Sequence, residues 1–212
     1  MPNYDHTPDL LRDGPRCASY TVVLAHSSGG AMDSPWMDAI ATRLGDAGLG
    51  VVRFEFPYMQ QRRLDGKRRP PNGAKKLEAV WHSVIEKLGS DGLLIGGKSM
   101  GGRIASMVAD QAGVAGLVCL GYPFHPPGKP GKVRLAHLAG LRTPALFCQG
   151  ERDTFGSPEE VLTYALSDTI QIEWMLDGDH SLKPRKKSGR SEFDNLDLAC
   201  DLIVTFAHGL NA

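Results

Sequence analysis

Gly97, Ser99 and Gly101 form a G-x-S-x-G pattern inside the string GGKSMGG at 96–102. A serine in that spacing becomes a usable nucleophile where a strand turns abruptly into a helix. The turn lifts its hydroxyl above the sheet, and glycine two positions to either side leaves the backbone room to do so. The flanks fit, with an apolar run at 93–97 before the serine and an amphipathic stretch at 100–111 after it. A phosphate-cradling Gly-rich loop is the rival reading of the same string, and it is set aside in favour of the strand-to-helix turn.

A serine hydroxyl is a poor nucleophile at neutral pH and needs a histidine base, which in turn needs a carboxylate to fix its tautomer. The chain order expected on a parallel sheet is serine, acid, histidine. Asp153 lies in GERDTFG directly after the apolar run 145–149, and His180 lies in DGDHS directly after the run 171–175. Both positions are carboxyl strand ends, where open parallel sheets build their sites. His6, His26, His82, His125, His137 and His208 occupy terminal, helical, loop or strand-end positions that suit a base less well. Glu151, Asp177 and Asp179 compete with Asp153, and Asp179 is expected to cap a turn or face solvent.

Acyl transfer at Ser99 would also need two donors aimed at a developing oxyanion. The Met100 amide, at a helix N-terminus, is the first expected. The second is assigned to the small-residue loop His26–Gly30, with Ser28 preferred and Ser27 the alternative.

The elements that must position these groups alternate along the chain. Apolar runs at 20–26, 51–56, 93–97, 117–120, 145–149 and 171–175 read as six strands. Amphipathic stretches at 34–47, 73–88, 100–111, 158–166 and 192–208 read as helices, with Ser34 and Ser157 as caps. The expected fold is α/β, a mainly parallel sheet with helices on both faces and one domain over 1–212, of which 1–17 is an N-terminal extension. The Pro- and Arg-rich segment 57–73 reads as a functional loop.

Composition, with 42% hydrophobic and 23% charged residues, excludes a disordered or fibrous chain. The longest uncharged stretch, 111–128, is broken by Gly and Pro and is too interrupted to span a membrane. The first residues, MPNYDHTPDLLRDGPR, carry acids and prolines where an export signal has a basic start and an apolar run. Cys17, Cys119, Cys148 and Cys200 show no zinc or redox spacing. The expectation is a cytoplasmic protein with reduced thiols, without metal or organic cofactor, as a monomer or symmetric homodimer.

Taken together, the elbow, the acid and the histidine resemble those of the α/β-hydrolases from Tyr20 onward. The strings RFEFPYM (53–59), RRPPN (68–72), GGKSMGGR (96–103), LGYPFHPPGKP (120–130) and GDHSLKPR (178–185) are similar to a narrower subfamily. It includes testis-expressed protein thirty and the hydrolase-like domain of a subunit of the non-specific-lethal histone acetyltransferase complex. Dienelactone-hydrolase-like proteins are broader relatives. The resemblance implies a Ser99–Asp153–His180 triad on an α/β-hydrolase fold. Ser27 departs from the glycine common in such oxyanion loops, and the chain has no room for two leading strands or a large lid.

Net charge is zero, yet 57–76 holds seven Lys or Arg against one acid, and 129–134 and 183–190 add three and five cations with none. All three segments follow strands at the carboxyl face, where they would make a basic rim that attracts an anionic ester or thioester. A pI near 7 and the absence of an aromatic platform disfavour nucleic acid. Tyr58, Met59, Phe124 and Phe155 are the expected substrate-pocket side chains, with Arg68 and Arg69 as rim contacts. Lys98 is expected to point away from the nucleophile into solvent. The leading reading is a serine hydrolase of small or mid-sized esters or thioesters; the alternative is a catalytically idle fold that binds partners through its basic rim.

Overall fold

A strand covered by helices on both sides must be apolar at successive positions, because its side chains alternate between the two faces. The computed structural model, which describes residues 8–210, arranges the apolar runs in this way. Seven strands, β1 (Leu10–Asp13), β2 (Thr21–Ala25), β3 (Gly50–Phe54), β4 (Leu93–Lys98), β5 (Gly116–Leu120), β6 (Ala145–Gly150) and β7 (Ile170–Met175), form one sheet in the order β1-β3-β2-β4-β5-β6-β7. Neighbours from β3 to β7 pair in parallel, and β1 is antiparallel to β3.

Helices α1 (Pro35–Asp46) and α6 (Asp194–Gly209) cover one face, where Ile40, Leu44 and Ile203 join Val22, Leu24 and Leu94 in one buried cluster. Helices α3 (Ala74–Leu88) and α4 (Met100–Ala112) cover the other, where Trp81 and Ile104 join Val23, Val52 and Ile95. The short helices α2 (Pro57–Asp65) and α5 (Pro158–Val161) sit in connections. From β2 the chain passes to β3 on one side and returns to β4 on the other. Loops leaving β2 and β4 at their carboxyl ends therefore diverge, and a crevice opens between them.

Two sequence expectations are corrected. β1 lies inside the segment read as an extension, so one leading strand is present after all. Its sequence, LLRD, is too short and too charged to show a strand's alternation. What holds it is a partner's charge: Arg53 of β3, only 3% exposed, forks onto Asp13 with Nη2 at 2.9 Å and also donates to Asp38 and to the Met32 carbonyl. Residues 1–7, His6 among them, lie outside the described part.

The second correction concerns 57–73, which holds α2. Pro57 occupies its first turn and Gly66, with φ of 71°, ends it. Only Tyr58 and Met59 of its nine residues are buried, too few to give a helical period. Of the helix expected at 158–166 only Pro158–Val161 forms, and α6 begins at Asp194 rather than 192. No inserted lid occurs among the described residues.

Removing the Arg53 fork should release β1 and leave two carboxylates without their cation. Arg53→Ala is expected to lower stability by about 2–3 kcal/mol in urea unfolding, and Arg53→Lys to recover less than half, because one ammonium cannot fork.

Candidate active site

At the end of β4 the backbone reaches φ 53° and ψ −114° at Ser99, an unfavourable combination for a side chain larger than glycine's hydrogen. Close packing enforces it. A Cβ on Gly97 would lie 2.0 Å from the Ala25 carbonyl oxygen, and one on Gly101 2.3 Å from the same atom. β2 and the start of α4 are therefore in backbone contact, and the Ser99 amide is tied to Leu120 O at 3.0 Å.

Ser99 Oγ stands 2.8 Å from His180 Nε2, and His180 Nδ1 stands 2.8 Å from Asp153 Oδ2. A carboxylate only accepts, so Nδ1–H is the donor on that side and Nε2 is left to accept the serine proton. Asp153 is 1% exposed and also accepts from the Phe155 amide and from Gln149 Nε2, both at 2.9 Å. The His180 side chain remains 23% exposed, with the Phe155 ring stacked on it at 4.1 Å between centroids.

Gln149 is a residue the sequence reading missed. Its Oε1 accepts from the Tyr122 amide at 2.7 Å, while Nε2 donates to Asp153 and to the Tyr122 and Gly156 carbonyls. A fully bonded, buried amide thus orients the carboxylate. The available signal was a lone polar side chain ending the otherwise apolar run ALFCQG. The competing acids are occupied elsewhere: Asp179 caps its own turn through the Ser181 and Lys183 amides, Glu151 accepts from the Asp177 amide, and Asp177 pairs with Arg185 and Arg152.

In the loop after β2, His26 is buried and neutral. Phe56 N–H donates to its Nε2 at 3.1 Å, its Nδ1–H donates to Ser27 O at 2.6 Å, and burial pulls its pKa below the ordinary value. Tyr58 O–H also faces Ser27 O and Ser28 O, at 3.3 and 3.1 Å. With the Ser27 carbonyl turned inward, a trans peptide directs the Ser28 N–H the opposite way. Among the described residues it meets no protein acceptor, and Ser28 lines the same cavity as Ser99 and Met100.

That cavity measures about 510 Å³, and its walls include Ser27, Ser28, Pro71, Leu77, Phe155 and His180. Of the other expected pocket residues, Tyr58 and Phe124 are buried structural side chains, Tyr58 beneath the β2 loop and Phe124 against Phe147. Met59 borders a separate cleft beside Glu55 and Arg63. Arg68 and Arg69 lie outside the lining, and Arg69 is held by Asp65.

The model for the alpha/beta hydrolase domain matches residues 18–208. The chain belongs to the α/β-hydrolase family. Among solved structures it resembles a serine hydrolase homologue from Coxiella burnetii (22% identity, TM-score 0.66, 92% of this chain and 89% of that one). Dienelactone hydrolase from Anabaena variabilis shares 18% identity at TM-score 0.70, with 96% and 99% covered. A lidless α/β serine hydrolase from Xanthomonas campestris shares 18% at 0.65, with 96% and 88% covered. These likenesses establish the fold.

Within this α/β-hydrolase the order G-x-x-x-x-G-K-[ST] does run from Gly92 to Ser99, so sequence order alone does not discount a phosphate loop. Geometry does, because Leu93–Lys98 is strand β4, paired with β2 and β5, and cannot wrap a phosphate. A second serine–histidine contact, Ser106 Oγ to His137 Nε2 at 2.8 Å, differs in kind. Ser106 already donates to the Arg103 carbonyl at 2.7 Å, so it accepts from His137 and has no proton to give it. Among the described residues, no group of three or more His, Cys, Asp or Glu could hold a metal.

Lys98 departs from its expected solvated pose. It is half-buried on the cavity wall, donates to Ser181 Oγ at 2.8 Å, and lies 4.2 Å from the Trp36 ring centre, while Trp36 Nε1 donates to Ser181 O. Together they clamp the segment carrying His180. Burial, outweighing Asp179 and Asp153, pulls the Lys98 pKa down to about 8. The unfolded chain keeps that proton to the ordinary 10.5, so Lys98 makes stability rise with pH between about 8 and 10.5. Lys98→Met should abolish that rise, read as the difference from the native chain in urea midpoints across this window.

Proposed function

We propose that this α/β-hydrolase is a serine hydrolase that cleaves a carboxylic ester or thioester through an acyl-enzyme on Ser99. The observation that carries the reading is the continuous relay Ser99–His180–Asp153, with both contacts at 2.8 Å, on a serine whose backbone is strained into the crevice. Names of similar structures, such as the esterase domain from Rhodothermus marinus and the dienelactone hydrolase, agree with it.

The steps follow from the geometry. Ser99 Oγ attacks the acyl carbon as its proton passes to His180 Nε2, and Asp153 stabilises the imidazolium at Nδ1. The carbonyl oxygen, now negative, is held by the Met100 N–H at the head of α4 and by the Ser28 N–H. Collapse breaks the bond to the leaving oxygen or sulfur, which takes the proton from His180. Water then attacks the acyl-enzyme, His180 receives its proton, and release of the acid returns that proton to Ser99. No metal or organic cofactor enters these steps.

Fluorophosphonate labelling read by intact mass should give one adduct on the native chain and none on Ser99→Ala. Turnover of a reactive ester should fall by up to about 10⁶-fold in Ser99→Ala. Asp153→Asn should cost on the order of 10⁴-fold, and a loss under about tenfold would move the acid role elsewhere. A folded native chain that neither labels nor turns over would favour the idle interaction module.

A further inference from the structure

Cations around the site divide by whether they have a partner. On the outer loops Arg63 pairs with Asp33 and Glu55, Arg69 with Asp65, Lys183 with Glu192 and Arg185 with Asp177. Arg103 and Arg134 have no carboxylate partner among the described residues, and both line the cavity that contains Ser99 and His180. No Asp or Glu lines that cavity.

Arg103 sits one helical turn beyond Ser99, its amide donating to Ser99 O at 3.0 Å. Its Nε is buried without a hydrogen-bond partner, and Nη1 has only Met107 Sδ, a weak acceptor, at 3.6 Å. Arg134 is pinned through its backbone, its amide donating to Phe124 O at 2.7 Å and its carbonyl accepting from Tyr122 O–H. After burial, the charge of Arg134 is the main influence that lowers the Arg103 pKa, and Glu78 on α3, not in ion-pair contact, offsets it only in part, so the two cations act on one another. His137 nearby is kept neutral by burial and by Arg103, so the third cation of the lining is Lys98, which is engaged by Ser181.

Two guanidinium groups on one wall with no carboxylate in ion-pair contact are unfavourable unless an anion joins them. Each presents a planar fork of donors matched to a group with two or three oxygens. We propose that Arg103 and Arg134 form an anion subsite in the cavity, so that the ester or thioester cleaved at Ser99 carries a carboxylate or phosphate group. The identity of the cleaved bond rests on the serine-hydrolase reading; anion binding does not.

The test uses 4-nitrophenyl hemiglutarate and its methyl ester, which differ only in the free carboxylate. The native chain should prefer the hemiglutarate in kcat/KM, and Arg103→Gln and Arg134→Gln should each lose about 10- to 100-fold more on it than on the methyl ester. Arg103→Lys should recover part of the loss. No native preference, or equal losses on both esters, overturns the subsite. If neither ester turns over, fluorophosphonate labelling decides the hydrolase reading, and calorimetry with glutarate and inorganic phosphate decides the subsite alone. Binding weakened tenfold or more by either glutamine variant sustains it, the tighter ligand naming the anionic group; no binding, or binding the variants leave unaltered, rejects it.

Discussion

The approach of the Ala25 carbonyl to Gly97 and Gly101 is the contact from which the rest of the site follows. Because no side chain intervenes there, the first turn of α4 can rest directly on the end of β2. That places Met100 beside the loop at 26–30, forces Ser99 into positive φ, and sets its hydroxyl over the crevice created where the strand order reverses. A methyl group at either glycine would push helix and strand apart, and with them Met100 and the loop at 26–30. The strain at Ser99 persists because the two strands beside β4 over-determine it: β2 through that contact, β5 through the bond from Ser99 N to Leu120 O.

Two polar groups directly behind the relay, Gln149 and His26, are themselves bonded at every side-chain nitrogen and oxygen. Gln149 meets four protein partners while orienting Asp153, and His26 uses both ring nitrogens to hold Phe56 and the Ser27 carbonyl. A buried amide or imidazole left half-bonded would have alternative poses, and the group it supports would share them. The Lys98–Trp36–Ser181 clamp holds the His180 segment at the cavity edge, with a charged group whose burial lowers its pKa.

How far this was legible in the sequence depends on the range of the interaction. The six parallel strands, most of the helices packed on them and the order of Ser99, Asp153 and His180 are local patterns: apolar runs, turn glycines and polar residues at carboxyl strand ends. β1 is not, since LLRD becomes a strand only because Arg53 and β3 receive it. α2 buries two residues and is fixed by Arg63 reaching Glu55, just ahead of the helix, and Asp33, thirty residues away. Tyr58 and Phe124 follow carboxyl strand ends as expected, yet strand-end position does not say whether a ring faces cavity or core. Arg103 was passed over as part of a helix pattern, although its spacing of four from Ser99 already put it on the same helical face.

Segment charge, likewise, is a poor guide to where unpaired charge resides. The Arg-rich stretch 57–76 looks like the most cationic part of the rim, but Arg63 and Arg69 are neutralised by acids from their own loop and its neighbours. Exposed pairs of this kind contribute little field beyond a Debye length. Among the cations that line the cavity, Lys98, Arg103 and Arg134 have no carboxylate in ion-pair contact, Arg103 coming from a mostly apolar helix and Arg134 from a loop that contributes no acid. A field that reaches substrate is therefore set by which cations the fold leaves without carboxylates at a low-dielectric wall, and that selection is made by tertiary packing rather than by composition.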